Sequence, residues 1–305
     1  MGQPVRRYAT DMEDSARWAA LTFRDGDIVI SSPSKAGTTW TQMICALLIF
    51  QTPDLPAPLT TLAPWLDATL RPVSEVVARL DTQCHRRFIK THTPLDGVPD
   101  DPRVTYLAIC RDPRDVAVSL MFQGENLDRA RIRSLVGAAA PPPQSPATAS
   151  QRSMHDRLLR WMTSDSLDGT LDTLRGFCLQ MGSAWSRRME PNVTLVHYAD
   201  LSADLDSEMR RLAGRLHIDV PEERWPALVA AAGFDAMRSR SADRAPDEGL
   251  AIMHSTDAFF RHGSSGDWRE WLTGGDLATY DERVAVLAPP DLTRWMHTGG
   301  PVPVG

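Results

Sequence analysis

Only two lysines, Lys35 and Lys90, stand among the 33 basic residues of this chain, and each sits beside groups suited to group transfer. In Lys90-Thr91-His92, at the end of an apolar run, strand alternation places Lys90 and His92 on one face. Near neutral pH a histidine takes the proton of an acceptor hydroxyl. An ammonium can stabilise charge on the transferred group and on the leaving oxygen. A compact ammonium suits such an oxygen better than a planar guanidinium, which explains keeping Lys in an arginine-rich chain. A lone histidine is more often structural, and that alternative stays open here.

Lys35 belongs to a second cluster, Ser34-Lys35-Ala36-Gly37-Thr38-Thr39, which follows another apolar run and leads into a helical pattern from Trp40 to Phe50. Glycine lets backbone approach a ligand, and the unpaired amides of a helix start attract an anion. The turn is not a Walker A loop, since Lys35 precedes its only glycine. A threonine-capped helix start accounts for the same residues. A third cluster runs from Cys110 through Arg111-Asp112-Pro113 to Ser119, putting an arginine at a strand end and a serine two turns into the next helix. The Arg111 fork suits a terminal phosphate, with a salt bridge to Asp112 or Asp115 as the alternative. Arg261-His262-Gly263, with further glycine at Gly266, reads as a cationic loop able to close over an anion.

These clusters need a scaffold that brings strand ends together. Runs at 27–33, 87–90, 104–110 and 193–198 read as buried strands, with helices at 40–50, near 114–121 and at about 170–189 between them. Alternation of strand and helix predicts an α/β fold. It has a central, mainly parallel sheet flanked by helices, and ligands bind outside the carboxyl ends of the strands. With 305 residues and 42% hydrophobic content, we expect one domain over 1–305, ending in a frayed tail at 299–305. Residues 137–150 read as a low-complexity loop.

A net charge of −6 excludes a broad nucleic-acid surface, so any anion site is local. Cys45, Cys84, Cys110 and Cys178 lack metal or disulfide spacing and read as buried thiols in a reducing, cytoplasmic compartment. No apolar run reaches the length of a membrane span, so no integral membrane segment is expected.

Taken together, the clusters resemble the cytosolic sulfotransferases that use 3'-phosphoadenosine 5'-phosphosulfate (PAPS). Pro33 to Trp40 is similar to their P-K-S-G-T-T-W motif, with one extra residue and Ala36 in place of Ser. The family's K-T-H stands at Lys90–His92, R-x-P-x-D-x-x-x-S at Arg111–Ser119, Y-x-D-L at Tyr198–Leu201 and R-x-G-x-x-G-D-W at Arg261–Trp268. The match spans most of the chain and includes the P-loop-like strand-turn-helix.

The resemblance implies that Lys35, Ala36, Gly37, Thr38, Thr39 and Trp40 hold the 5'-phosphosulfate, with Trp40 against the adenine. It places Arg111, Ser119, Arg261, His262 and Gly263 at the 3'-phosphate, and Tyr198, Phe234 and Met237 around the purine. Ala232 and Gly233 replace the usual Thr and Ser of that last stretch, so the two side-chain hydroxyls that the family offers the cofactor there are missing. In the dimerisation signature, which aligns with Arg269, Thr273, Gly274 and Ala278, three of four positions differ, so a homodimer would not use the usual motif.

The implied reaction transfers a sulfonyl group to a hydroxyl or amine of a small-molecule or lipid acceptor and leaves 3',5'-ADP (PAP). His92 is its base, Lys35 and Lys90 its charge stabilisers. Sulfonyl groups carry less charge than phosphoryl groups, so lysines can stand in for Mg²⁺ and no metal is expected. Rival readings are a P-loop kinase using Mg·ATP and a catalytically silent nucleotide-binding module. Trp65, Leu66, Phe122 and Phe259 hint at an apolar acceptor pocket, with core packing an equal account.

Overall fold

A computed structural model describes residues 2–137, 153–247, 249–261, 263 and 265–303. Four strands form where the sequence predicts them: β1 (Ile28–Ser31), β2 (Phe88–Thr91), β3 (Thr105–Cys110) and β4 (Val193–His197). They build one parallel sheet in the order β2-β1-β3-β4. Successive side chains alternate between its faces. Ile28, Ile30, Phe88, Leu107, Ile109 and Val196 pack with the helices Thr38–Phe50, Leu205–Arg215 and Trp225–Ala232. Val29, Ile89, Tyr106, Ala108, Val193 and Leu195 pack with the helices Pro113–Asn126, Met154–Thr163, Leu174–Ser186 and Gly274–Leu287. Strands covered on both faces are predominantly apolar, and Ser31, Lys90, Thr91 and His197 gather at their carboxyl ends, so these runs lack polar alternation. Each large aliphatic or aromatic side chain so buried contributes about 1.5–3 kcal/mol.

Register aligns the carboxyl ends of the strands. Ser31 lies opposite Thr91 on one side and Ala108 on the other, and Cys110 lies opposite His197. The chain therefore leaves β1 as Ser32–Gly37, β2 as His92, β3 as Arg111 and β4 as Tyr198 along one edge. β1 is central, its next two strands in sequence lying on opposite sides, and this reversal opens a crevice at that edge. The following helix is fixed by Pro113 at its first position and by the Asp112 carboxylate, which accepts the Arg114 amide at 2.9 Å.

At the other end of the strands, Asp27 and Arg87 form a buried ion pair, with Arg87 Nε donating to Asp27 Oδ1 at 2.9 Å. Arg87 also donates to the Thr22 carbonyl at 2.9 Å. This pair ties β1 to β2 away from the crevice.

Two expectations change, and a third is not reached. The frayed tail is tied down as far as Val302: the Gly300 amide donates to Asp200, Trp295 Nε1 donates to the Gly300 carbonyl, and Val302 packs on the core. Cys84 is exposed, whereas Cys45, Cys110 and Cys178 are buried, because Cys84 follows the last turn of the Val73–Thr82 helix instead of sitting in an apolar element. The 137–150 loop lies, beyond Gly137, outside the described residues. Among the described residues no helix is long and apolar enough to cross a membrane.

Candidate active site

The crevice is a cavity of about 1520 Å³. Its floor is the turn after β1. Lys35 (φ 65) and Gly37 (φ 115) both adopt left-handed backbone, which costs a non-glycine residue about 1–2 kcal/mol at Lys35. A Cβ at Gly37 would meet the Tyr198 ring at 3.2 Å. Ser32 and Thr38 hydroxyls bond across the turn at 2.5 Å, and the Thr41 amide donates to the Gly37 carbonyl at 3.0 Å. Ser34, Lys35, Gly37, Thr38, Thr39 and Trp40 line the cavity. Ala36 does not: its methyl lies in the core and its amide donates to the Pro33 carbonyl at 3.2 Å.

His92 and Lys90 line the wall next to this turn. His92 Nδ1 lies 2.7 Å from the Ser32 carbonyl. A carbonyl only accepts, so Nδ1 carries the proton and Nε2 keeps the lone pair of a base. Lys90 Nζ stacks 3.9 Å from the Trp65 ring centroid, and Trp65 meets His92 edge-on at 5.0 Å. Burial first, then Lys90, pull the His92 pKa down to about 3, against the Ser32 hydrogen bond. In the free protein the imidazole is neutral.

Lys35 reports the electrostatics of the cavity. Its Nζ lies 3.7 Å from the Phe259 ring centroid and donates to Gln123 Oε1 at 3.4 Å. Burial, then Arg111, Lys90 and Arg261, bring its pKa down to about 7. Four cations thus converge on one cleft, an arrangement that favours a polyanionic ligand.

The far wall gathers the remaining predicted residues. Arg111 lies over the Tyr198 ring at 4.4 Å, and Trp40 packs edge-on to Tyr198 at 5.0 Å. The Tyr198 hydroxyl donates to the Gly263 carbonyl at 3.1 Å, while Trp40 Nε1 donates to the Ala232 carbonyl at 2.9 Å. Arg261 pairs with Asp267 and lies 4.3 Å over the Phe122 ring. Asp112, an expected partner of Arg111, is held by Arg114 at 2.6 Å, and Asp115 accepts the Gly266 amide at 2.9 Å. Ser119, Phe234, Met237, Arg261 and Gly263 all line the cavity, and His262 falls outside the described residues.

Of the four apolar candidates, Trp65 and Phe259 line the cavity; Leu66 and Phe122 belong to the core instead. Leu66 follows Trp65 directly and so faces away. Phe122 packs against Trp271 at 6.0 Å. Sequence reading missed Glu13, Gln123, Asp172 and Gln180, which also line the cavity. They lie in polar or amphipathic stretches without a motif, and no spacing signal marks them.

A family model described as "Sulfotransferase domain" matches residues 25–298. A glycolipid sulfotransferase of Mycobacterium bovis (strain BCG / Pasteur 1173P2) is 47% identical, covering 96% of this chain and 94% of that protein. A glycolipid sulfotransferase of Mycobacterium tuberculosis (strain ATCC 25618 / H37Rv) is 46% identical with the same coverage. Among solved structures, retinol dehydratase with androsterone and inactive cofactor PAP superposes with a TM-score of 0.70 at 20% identity, covering 90% of this chain and 84% of that one. A mouse sulfotransferase complexed with PAP gives 0.66 at 20% identity, covering 92% and 90%. These two show the same fold.

Proposed function

The chain belongs to the sulfotransferase family, whose sulfonyl donor is PAPS, and from that premise we propose that it sulfonates a hydroxyl of a glycolipid with His92 as base. The observation that carries the site assignment is the convergence of Lys35, Lys90, Arg111 and Arg261 on the cavity that His92 lines. PAPS is a polyanion with charge at both ends of its ribose, and cations stand on both walls. Lys35, Gly37, Thr38 and Thr39 would take the 5' end, Arg111, Ser119, Arg261 and Gly263 the 3'-phosphate, and Trp40, Tyr198, Phe234 and Met237 the purine.

In the reaction His92 Nε2 takes the acceptor's hydroxyl proton as the acceptor oxygen bonds to sulfur. The S–O bond to the 5'-phosphate breaks, and its electron pair remains on the phosphate oxygen that Lys35 neutralises. Lys90 lies beside the base and stabilises charge on the sulfonyl oxygens. Because burial and Lys90 suppress the basicity of His92, an anionic donor restores it, so the base gains strength when the donor is in place.

The glycolipid acceptor rests on the two mycobacterial relatives and on the apolar wall of Trp65, Met253 and Phe259 near the lysines. A reducing compartment, the cytoplasm, suits four cysteines that form no disulfide. Calorimetry with 3',5'-ADP, 5'-ADP and Mg·ATP tests the donor site: selective binding of 3',5'-ADP without metal is expected, and preference for Mg·ATP would overturn it.

A further inference from the structure

We propose that Glu13 is a specificity-determining residue of the acceptor subsite, hydrogen-bonding a second hydroxyl of a sugar whose reacting hydroxyl sits at His92; this rests on the sulfotransferase reading above. Glu13 reaches the cavity through two backbone layers. The Thr69 amide donates to the Met12 carbonyl at 2.8 Å and the Asp14 amide to the Asp67 carbonyl at 2.9 Å, so residues 12–14 run against residues 67–69. That segment in turn joins β2, where the Lys90 amide donates to the Pro64 carbonyl at 3.2 Å. An N-terminal carboxyl is thereby set in the same cavity wall as Lys90, His92 and Trp65.

The neighbouring acids already serve the scaffold. Asp14 pairs with Arg7 at 2.7 Å, and fully buried Asp67 accepts from Trp18 Nε1 at 3.1 Å and from the Thr93 hydroxyl at 2.7 Å. The half-buried Glu13 carboxyl has no hydrogen bond or ion pair among the described residues. Its oxygens are not among the fully buried unpaired side-chain atoms, so they open onto the cavity that Glu13 lines. The cavity is roomy enough for a nucleotide and a head group together, and an acceptor hydroxyl is the partner assigned to this carboxyl.

The electrostatics of this wall select for a neutral polyol. Burial, then Asp67 and Asp172, push the Glu13 carboxyl well above the ordinary glutamate range, opposed by Lys90. A carboxyl held toward its protonated form both donates and accepts, matching a sugar hydroxyl. Burial raises Asp172 in the same way, so this part of the cavity presents carboxyls held toward their protonated form to a sugar's hydroxyls.

The test compares octyl glucoside with octanol as acceptors at saturating PAPS, using wild type, Glu13→Ala and Glu13→Gln. Octyl glucoside is the expected better acceptor. Its kcat/KM relative to octanol should fall at least about tenfold in Glu13→Ala and be largely restored in Glu13→Gln, whose amide also donates and accepts. Calorimetric binding of octyl glucoside to the protein loaded with 3',5'-ADP should weaken in parallel. An unchanged acceptor ratio, a wild type that favours octanol, or unchanged glucoside binding in Glu13→Ala overturns the proposal. Failure of wild type to bind 3',5'-ADP would strike the donor reading instead, so the two failures are separable.

Discussion

His92 donates its Nδ1 proton to the Ser32 carbonyl at 2.7 Å, so the segment leading into the glycine turn also sets the tautomer of the proposed base. The fold couples the turn to His92 because β1 and β2 are hydrogen-bonded neighbours, with Ser31 opposite Thr91. One residue beyond that register, Ser32 and His92 meet.

This relationship has a spectroscopic signature. In the free protein His92 should show the Nδ1–H tautomer in ¹⁵N NMR and remain neutral from pH 8 down to pH 5, since burial and Lys90 hold its pKa at about 3. Donor binding should raise that pKa. A His92 resonance titrating near the ordinary ~6.5 in the free protein would contradict the geometry.

Lys35 should take up a proton when 3',5'-ADP binds. Burial and its cationic neighbours hold its pKa at about 7 in the free protein, and an anion restores the ordinary lysine range. Binding therefore favours the protonated form, and affinity falls as pH rises above about 7. At pH 8, binding enthalpies measured in buffers of different ionisation enthalpy should reveal net uptake approaching one proton. Lys35→Met should abolish the Lys35 contribution and lower kcat by about 10²–10³.

Gly263 is a backbone requirement as much as a ligand position. It adopts φ 66, and a Cβ there would meet the Phe234 ring at 2.4 Å. Gly263→Ala should displace Phe234 from the cavity wall proposed for the purine and weaken 3',5'-ADP binding about tenfold, with left-handed strain of about 1–2 kcal/mol. Calorimetry checks the affinity, and thermal unfolding the strain. Unchanged affinity would place the purine elsewhere.

Away from the cavity, Asp27→Ala should destabilise the fold by about 3 kcal/mol, because it leaves the buried Arg87 guanidinium with only the exposed Asp81 carboxylate, 3.4 Å away, as a charged partner. Urea unfolding measures the loss. At temperatures where the variant stays folded, 3',5'-ADP affinity should match wild type.

Much of this cavity was legible in the sequence because its lining uses recognisable local features: a strand end, a glycine turn and a cation, repeated on neighbouring strands. Lys35, Lys90, His92 and Arg111 were legible on those grounds, and all line one cavity. Strand positions were legible because strands buried on both faces are apolar runs. What no local pattern encodes is which distant segments meet. The pairing of 12–14 with 67–69, which brings in Glu13, depends on long-range register. Trp65 and Leu66 are adjacent apolar residues, and only the direction of one strap sends the first into the cavity and the second into the core. Ala36 stands at a motif position where the family has Ser, and beside the left-handed turn at Lys35 its methyl lies in the core.

The most direct test supplies PAPS carrying ³⁵S to wild type and His92→Ala in the presence of a neutral glycolipid. Wild type should label the lipid and release 3',5'-ADP in equal amount. His92→Ala should bind 3',5'-ADP normally yet label the lipid about 10²–10⁴-fold more slowly. Labelling by His92→Ala at the wild-type rate would contradict the account.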